Sequence, residues 1–275
     1  MSLNLTAEES TALELLKAIL SSDVDEDYKD LILSYYDDDD EYISSDDMLY
    51  IAYNLAYGGR PEVLPEEVRA YVKYVLELEA EKGNEDAALD LGSLYYTGRI
   101  GEQSYEKAVK YYKIAEEKGS LIASENLGYC YYYGRDVEVN YETAYKYFIK
   151  PALAGRLESM YKIGDMYAKG LYVDKDENFA YRLYKKAYDG IDADCDVVGD
   201  ICLRMGNCSY YGTGCERDVH EALKYYQRSE SEYYKQLENG DFFKRKILDG
   251  VIEKIDAIRR ELLGNIDSLP VYNED

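Results

Sequence analysis

The stretch LGYCYYYG, Leu127 to Gly134, puts three consecutive tyrosines, a fourth just upstream, a cysteine and two glycines into eight residues. Taken alone it fits a chemical site, an aggregation-prone strand or a structural element. Self-comparison decides between them. LGSLYYTG at 91–98, IGDMYAKG at 163–170 and MGNCSYYG at 205–212 align onto it without gaps. The leading glycines Gly92, Gly128, Gly164 and Gly206 are separated by 36, 36 and 42 residues. Ten positions after each closing glycine comes an alanine: Ala108, Ala144, Ala180 and Ala222. A period in this range means stacked helix pairs, because one such pair cannot bury its apolar face alone. The stretch is one copy of a repeated helix.

Each column of the repeat has a physical reading. The leading glycine sits inside a helical pattern, where it costs roughly 1 kcal/mol relative to alanine; four repetitions of that cost predict close approach of two backbones. The closing glycine ends the first helix in the position that tolerates left-handed dihedrals. Four residues before each alanine stand Ser104, Asn140, Asp176 and Asp218, all residue types that cap a helix start through their side-chain oxygens. The second helices then read AVKYYKIA, AYKYFIKP, AYRLYKKA and ALKYYQRS, with one apolar stripe each. Pro151 falls inside this frame and predicts a kink or stop near Lys150. Tyr95, Tyr131 and Tyr167 share a column and are expected to pack between helices, each hydroxyl reaching water or a backbone group.

Outward from these four copies, IAYNLAYG (51–58) reads as a fifth, degenerate copy with Ala52 in place of the glycine, followed by a helix starting near Pro65. Thr6 to Glu9 has the form of a capping box, and ALELLKAIL continues it as an amphipathic helix; DYKDLILSYY reads as another. At the far end Phe243, Leu248, Val251, Ile255, Ile258 and Leu262 fall on one face. The expected organisation is a helical cap with an acidic loop at 1–43, about five repeats at 44–240 with an insertion near 191–201, and a capping helix with a short acidic tail at 241–275.

Charge narrows the functional classes. The 32 Lys and Arg residues face 56 Asp and Glu, a net of −24; such a field repels nucleic acid and anionic membranes and favours basic protein segments. No apolar run approaches the ~20 residues needed to span a bilayer. The N-terminus shows no secretory pattern, so a cytoplasmic protein is expected.

The pattern LG-x-L/M-Y-x-x-G, a turn such as GTGCERD, the column alanine and a following YY resemble the Sel-1-like repeat family, relatives of tetratricopeptide repeats built from paired antiparallel helices. The resemblance covers roughly 44–240. The turns GLYVDKD and GTGCERD are similar to the family's own, whereas GRIGEQS and GRDVEVN depart from it. It implies an all-α, right-handed α/α superhelix and an adaptor that holds other proteins together, with no cofactor. Some relatives carry disulfides across helix pairs.

Four of the five cysteines, Cys195, Cys202, Cys208 and Cys215, fall within 21 residues. None of the spacings is C-x-x-C, and Cys202, Cys208 and Cys215 occupy apolar or small-residue columns of the repeat. Buried free thiols are the favoured reading, with a disulfide or a metal site as alternatives. Ser104–Lys107 and Ser159–Lys162 match S-x-x-K, but the S-D-N and K-T-G elements of penicillin-interacting enzymes do not occur. His220, the one histidine, has no second imidazole to work with. The run Asp37 to Glu41 and the loops DVDEDY and DKDENF suggest calcium, yet Tyr28 and Phe179 stand where an EF-hand needs glycine.

The reading is therefore a non-catalytic protein-binding solenoid with no metal or cofactor. If Leu91, Tyr95 and their equivalents face the core, the exposed inner face of the first helices carries Asp90, Ser93 and Thr97; Asn126, Tyr129 and Tyr133; Lys162, Asp165 and Lys169; and Arg204, Asn207 and Tyr211. A segment of a partner with Lys or Arg is expected there, since exposed tyrosines offer contact area at low entropy cost. Two alternatives remain: a self-assembling structural protein, with homo-oligomers built through the end caps, and a β-lactamase-like hydrolase using Ser104 and Lys107.

Overall fold

The computed structural model describes residues 6–36, 43–58, 63–193, 195–238 and 244–267. The expected calcium run 37–41 and Phe243 lie outside them. Among the described residues there are thirteen α-helices and no strand. The chain divides into two compact units, Met1–Asn140 and Tyr141–Asp275.

The N-terminal unit contains α1 (Ala7–Ser21), α2 (Glu26–Leu33), α3 (Ser45–Tyr57), α4 (Glu66–Glu81), α5 (Glu85–Thr97), α6 (Tyr105–Lys118) and α7 (Leu121–Tyr133). The second contains α8 (Tyr141–Leu153), α9 (Leu157–Lys169), α10 (Glu177–Asp189), α11 (Val198–Tyr211), α12 (Val219–Glu238) and α13 (Arg245–Asp267). Within each unit every helix packs on the next, and α1 also packs on α4. This is the α/α solenoid class, in which each hairpin buries its apolar stripes against its neighbours.

Local chemistry explains the helix limits. Thr6 accepts from the Glu9 amide at 3.1 Å while Glu9 accepts from the Thr6 amide at 2.8 Å, so the capping box forms. Ser104, Asp176 and Asp218 accept from the amides of Lys107, Phe179 and Glu221 at 3.3, 2.8 and 2.9 Å, starting α6, α10 and α12. Gly98, Gly134, Gly170 and Gly212 end α5, α7, α9 and α11 with φ between +67° and +77°, a region closed to most side chains. Asp176→Ala is expected to cost about 1 kcal/mol in urea denaturation, and Asp176→Asn to restore most of it.

One expectation about the repeat frame changes. The leading glycines do not bring backbones together; they make room for rings. A Cβ on Gly92, Gly164 or Gly206 would stand 2.6, 2.5 or 2.6 Å from ring carbons of Tyr112, Tyr184 or Tyr226, each twenty residues further on. Gly199, near the start of α11, likewise faces a ring, that of Tyr233 at 2.9 Å, 34 residues further on. Pro151 lies inside α8, which ends two residues later at Leu153, and the turn beyond is closed by Ala154 and Arg156 amides donating to the Lys150 and Pro151 carbonyls. The helix expected to start near Pro65 is α4, with Pro65 as its cap. The extra residues of the fourth copy lie in the connection between α10 and α11, 190–197, which leaves the frame of α11 intact.

Both chain ends use the faces that periodicity predicts. Ala12, Leu13, Leu16 and Ile19 of α1 are buried. On α13, Leu248, Val251, Ile255 and Ile258 are buried with Ala222, Tyr226 and Tyr233 of α12, and Leu262 packs at the edge. Burying such side chains stabilises by about 1.5–3 kcal/mol each.

Candidate functional site

The residues expected on the first-helix face fall two before, one after and five after each leading glycine. The glycine's ring partner decides the fate of the middle position. The Tyr112, Tyr184 and Tyr226 hydroxyls, having crossed the glycine, lie 3.4 Å from Ser93 Oγ, 2.9 Å from Asp165 Oδ1 and 2.8 Å from Asn207 Oδ1. In the second copy the pair is replaced together: Tyr129 follows Gly128, and Phe148 stands twenty residues after it.

In the C-terminal unit these positions form an ion network. Arg204 on α11 donates from Nε and Nη2 to the two oxygens of Asp165 on α9, at 2.7 and 2.6 Å. Its Nη1 reaches the Asp200 carbonyl at 2.7 Å, and its guanidinium carbon lies 4.1 Å from the centre of the Tyr161 ring. Lys244 reaches the Asp200 carboxylate at 2.8 Å. Burial opposes the charge on Asp165, but Arg204, Lys162 and the Tyr184 hydroxyl outweigh it and hold the carboxyl below the usual range. Asp200 is likewise buried and held down by Lys244 and Arg204. Lys162 and Asp165, expected to be exposed, are 5 % and 7 % exposed; Arg204 of the next copy closes over Asp165. A pocket of about 260 Å³ remains beside the network, with Lys169 and Asn207 on its wall.

In the N-terminal unit the same face forms an open groove of about 570 Å³. Asp46, Leu49, Tyr50 and Tyr53 of α3, Asp86, Leu89 and Asp90 of α5, and Ile122 of α7 line it. Among its described lining residues none is basic. Tyr50, Tyr53 and Ile122 are half-exposed. Tyr57 donates to Asp90 Oδ1 at 3.0 Å, and Arg99 lies 6.0 Å over the Tyr57 ring. Burial raises the Asp90 carboxyl to about 6, the Tyr57 hydroxyl opposing and the Asp86 charge adding to the rise.

Of the expected site residues, only Asp90 lines this groove. Ser93 and Asn126 are half-buried, and Thr97 and Lys169 exposed. Tyr133 and Tyr211 are exposed, with Tyr129 stacked 6.0 Å from Tyr133. The other lining residues were not expected there, among them Asp86 and Leu89 of α5, Ile122 of α7 and two tyrosines of the degenerate copy. Counting from Ala52 as from a leading glycine gives Tyr50, Tyr53 and Tyr57, so the signal was in the repeat itself.

The remaining candidates have structural roles. All five cysteines are free thiols. Burial raises Cys130, Cys202 and Cys208 to about 12, 12 and 11, which keeps them protonated and inert; Cys195 and Cys215 are half-buried. Among the described residues no cluster suited to a metal ion occurs. Ser104 serves as a cap, and Lys107 is turned to Glu102 at 2.8 Å. Ser159 is fully buried, and His220 is exposed. Asp25 and Asp176 of the calcium-like loops cap α2 and α10. Tyr95 is buried, with its hydroxyl 3.4 Å from the Glu77 carboxylate, while Tyr131 and Tyr167 are half-buried. No described helix is long and apolar enough to cross a membrane.

The Sel1 repeat profile matches residues 85–120, 122–155, 157–192 and 201–232, half of the chain in all. A Sel1 repeat protein from Oxalobacter formigenes is similar in structure, with a TM-score of 0.60 and 21 % identity over 98 % of this chain and 100 % of that one. The protective antigen c5321 of uropathogenic Escherichia coli, described as displaying an SLR fold, has a TM-score of 0.58 and 26 % identity over 81 % of this chain. The match spans 44 % of that antigen, less than half its length. No curated protein matches the chain.

Proposed function

Since the chain belongs to the Sel1 repeat family, whose members generally bind other proteins without catalysis, we propose that it is a scaffold that takes a basic segment of a partner protein in the α3–α5–α7 groove. The α1–α2 and α13 helices then act as end caps of the repeat array. One observation carries this reading. Three carboxylates and two half-exposed tyrosines converge on an open groove whose described lining holds no cation. A Lys- or Arg-bearing segment supplies the opposite charge, and its aliphatic stems cover the rings. The exposed Tyr133 and Tyr211 offer further contact area on the first-helix face.

The test is a fluorescence-anisotropy titration with a labelled twelve-residue peptide alternating Leu with Lys or Arg. Binding is expected to weaken with salt and to be lost in Asp46→Asn/Asp86→Asn/Asp90→Asn. Affinity unchanged in that triple variant would refute the groove as the site.

The raised Asp90 carboxyl adds a pH signature. In the free protein the group keeps its proton up to about pH 6, and a cation prefers the ionised form. Binding therefore releases a proton, and affinity should climb from pH 5 to pH 7 and then level off. The stability of the free protein runs the other way. The folded state binds more protons than the unfolded one between the ordinary carboxylate range and about 6, so this group's contribution falls as pH rises through that window. Asp90→Asn should flatten both profiles, as read by anisotropy and by thermal melts.

A further inference from the structure

Resting on that reading of the groove, we infer that the side chain taken at its centre is an arginine guanidinium and that lysine is discriminated against. The chain contains its own version of the contact. In the C-terminal unit the residue two before a leading glycine, Arg204, crosses to the residue one after the preceding leading glycine, Asp165. It binds both carboxylate oxygens and lies against the Tyr161 face. The same two column positions at the junction of the degenerate and first copies are Asp90 and Tyr53, and both line the groove.

Here the residue in Arg204's column is an acid, and its counterpart across the groove is an aromatic ring. The carboxylate and aromatic halves of the clamp are present, and the guanidinium between them has no counterpart among the lining residues. Asp86, one helical turn before Asp90, and Asp46 on α3 add acceptors; Tyr50 adds a second half-exposed face. Tyr57 occupies one Asp90 oxygen at 3.0 Å and fixes the orientation of the carboxylate toward the groove.

A planar, forked donor that stacks on a ring satisfies carboxylate and tyrosine together. An ammonium is a point charge that keeps more of its hydration, so it gains the attraction but not the stacked, bidentate geometry.

The experiment compares two sets of acetylated, amidated nine-residue peptides with the same net charge and the same Leu, Ala and Phe at the other positions. Both basic positions are Arg in one set and Lys in the other. Titrated by anisotropy into the full chain at pH 7.5, the Arg set is expected to bind about tenfold tighter. Tyr53→Leu, which keeps the apolar area of a half-exposed residue, should bring that ratio close to one while circular dichroism stays unchanged. Equal affinity of the two sets overturns the arginine assignment and leaves the basic-segment reading standing. Binding by neither set overturns both. A preference for Arg that survives in both Tyr53→Leu and Asp90→Asn overturns the placement of the guanidinium between these two residues.

Discussion

Alanine at position 204 is expected to destabilise the C-terminal unit by about 3–5 kcal/mol, the cost of leaving a buried charge without its partner. Arg204 meets both oxygens of Asp165, and it also ties α11 internally through the Asp200 carbonyl. Asp165→Ala should cost a similar amount, because it strands the guanidinium instead. The double variant Asp165→Leu/Arg204→Met removes both charges and should recover most of the loss, so that the singles are far from additive. Urea denaturation followed by circular dichroism gives all four corners of the cycle.

Acid provides a second readout of the same network. Asp165 and Asp200 have folded carboxyls below their ordinary value, so their stabilisation is complete above the unfolded carboxylate range, about 4. It fades as pH falls toward the depressed folded values. The doubly apolar variant should lose less stability between pH 5 and pH 2 than the natural chain. An identical acid profile would count against the network.

Gly164→Ala should destabilise by about 1–3 kcal/mol, although alanine favours a helix over glycine by roughly 1 kcal/mol. The new methyl would stand 2.5 Å from a Tyr184 ring carbon. The ring is buried and cannot swing away without giving up its 2.9 Å hydrogen bond to Asp165. Gly250, on α13, is the internal control, since a Cβ there meets nothing within 4 Å; Gly250→Ala should stabilise by about 0.4–1 kcal/mol. Opposite signs for the same substitution in two helices would isolate the ring contact from propensity. Pairing Gly164→Ala with Tyr184→Leu should reduce the penalty, and a penalty unchanged in that background would remove the ring as its cause.

Much of the framework was legible in the chain. The N-cap column, the closing glycines and the stripes of α1 and α13 are local features, set by dihedral freedom and by satisfaction of end amides. The leading glycines were recognised as costly, but their partner was misjudged, because nothing in a helix-length window shows that a tyrosine twenty residues away lies over them. The exposed-face assignment failed at Lys162 and Asp165 for a related reason. Helical spacing says which residues share a face, not whether the next repeat sends a long side chain across it.

The amino-acid sequence by itself determined that this is a set of helical hairpins, where the first helices of the repeats stop and the second ones start, and that its net charge is strongly negative, because those properties follow from periodicity, end chemistry and composition. Only the tertiary structure decided which members of one repeat column face each other in the next. Arg204 closes onto Asp165 across 39 residues, while Asp90 and Tyr53 leave their groove open. The physical reason is that side-chain reach and burial across a helix–helix interface depend on the packed neighbours, and those are distant in sequence.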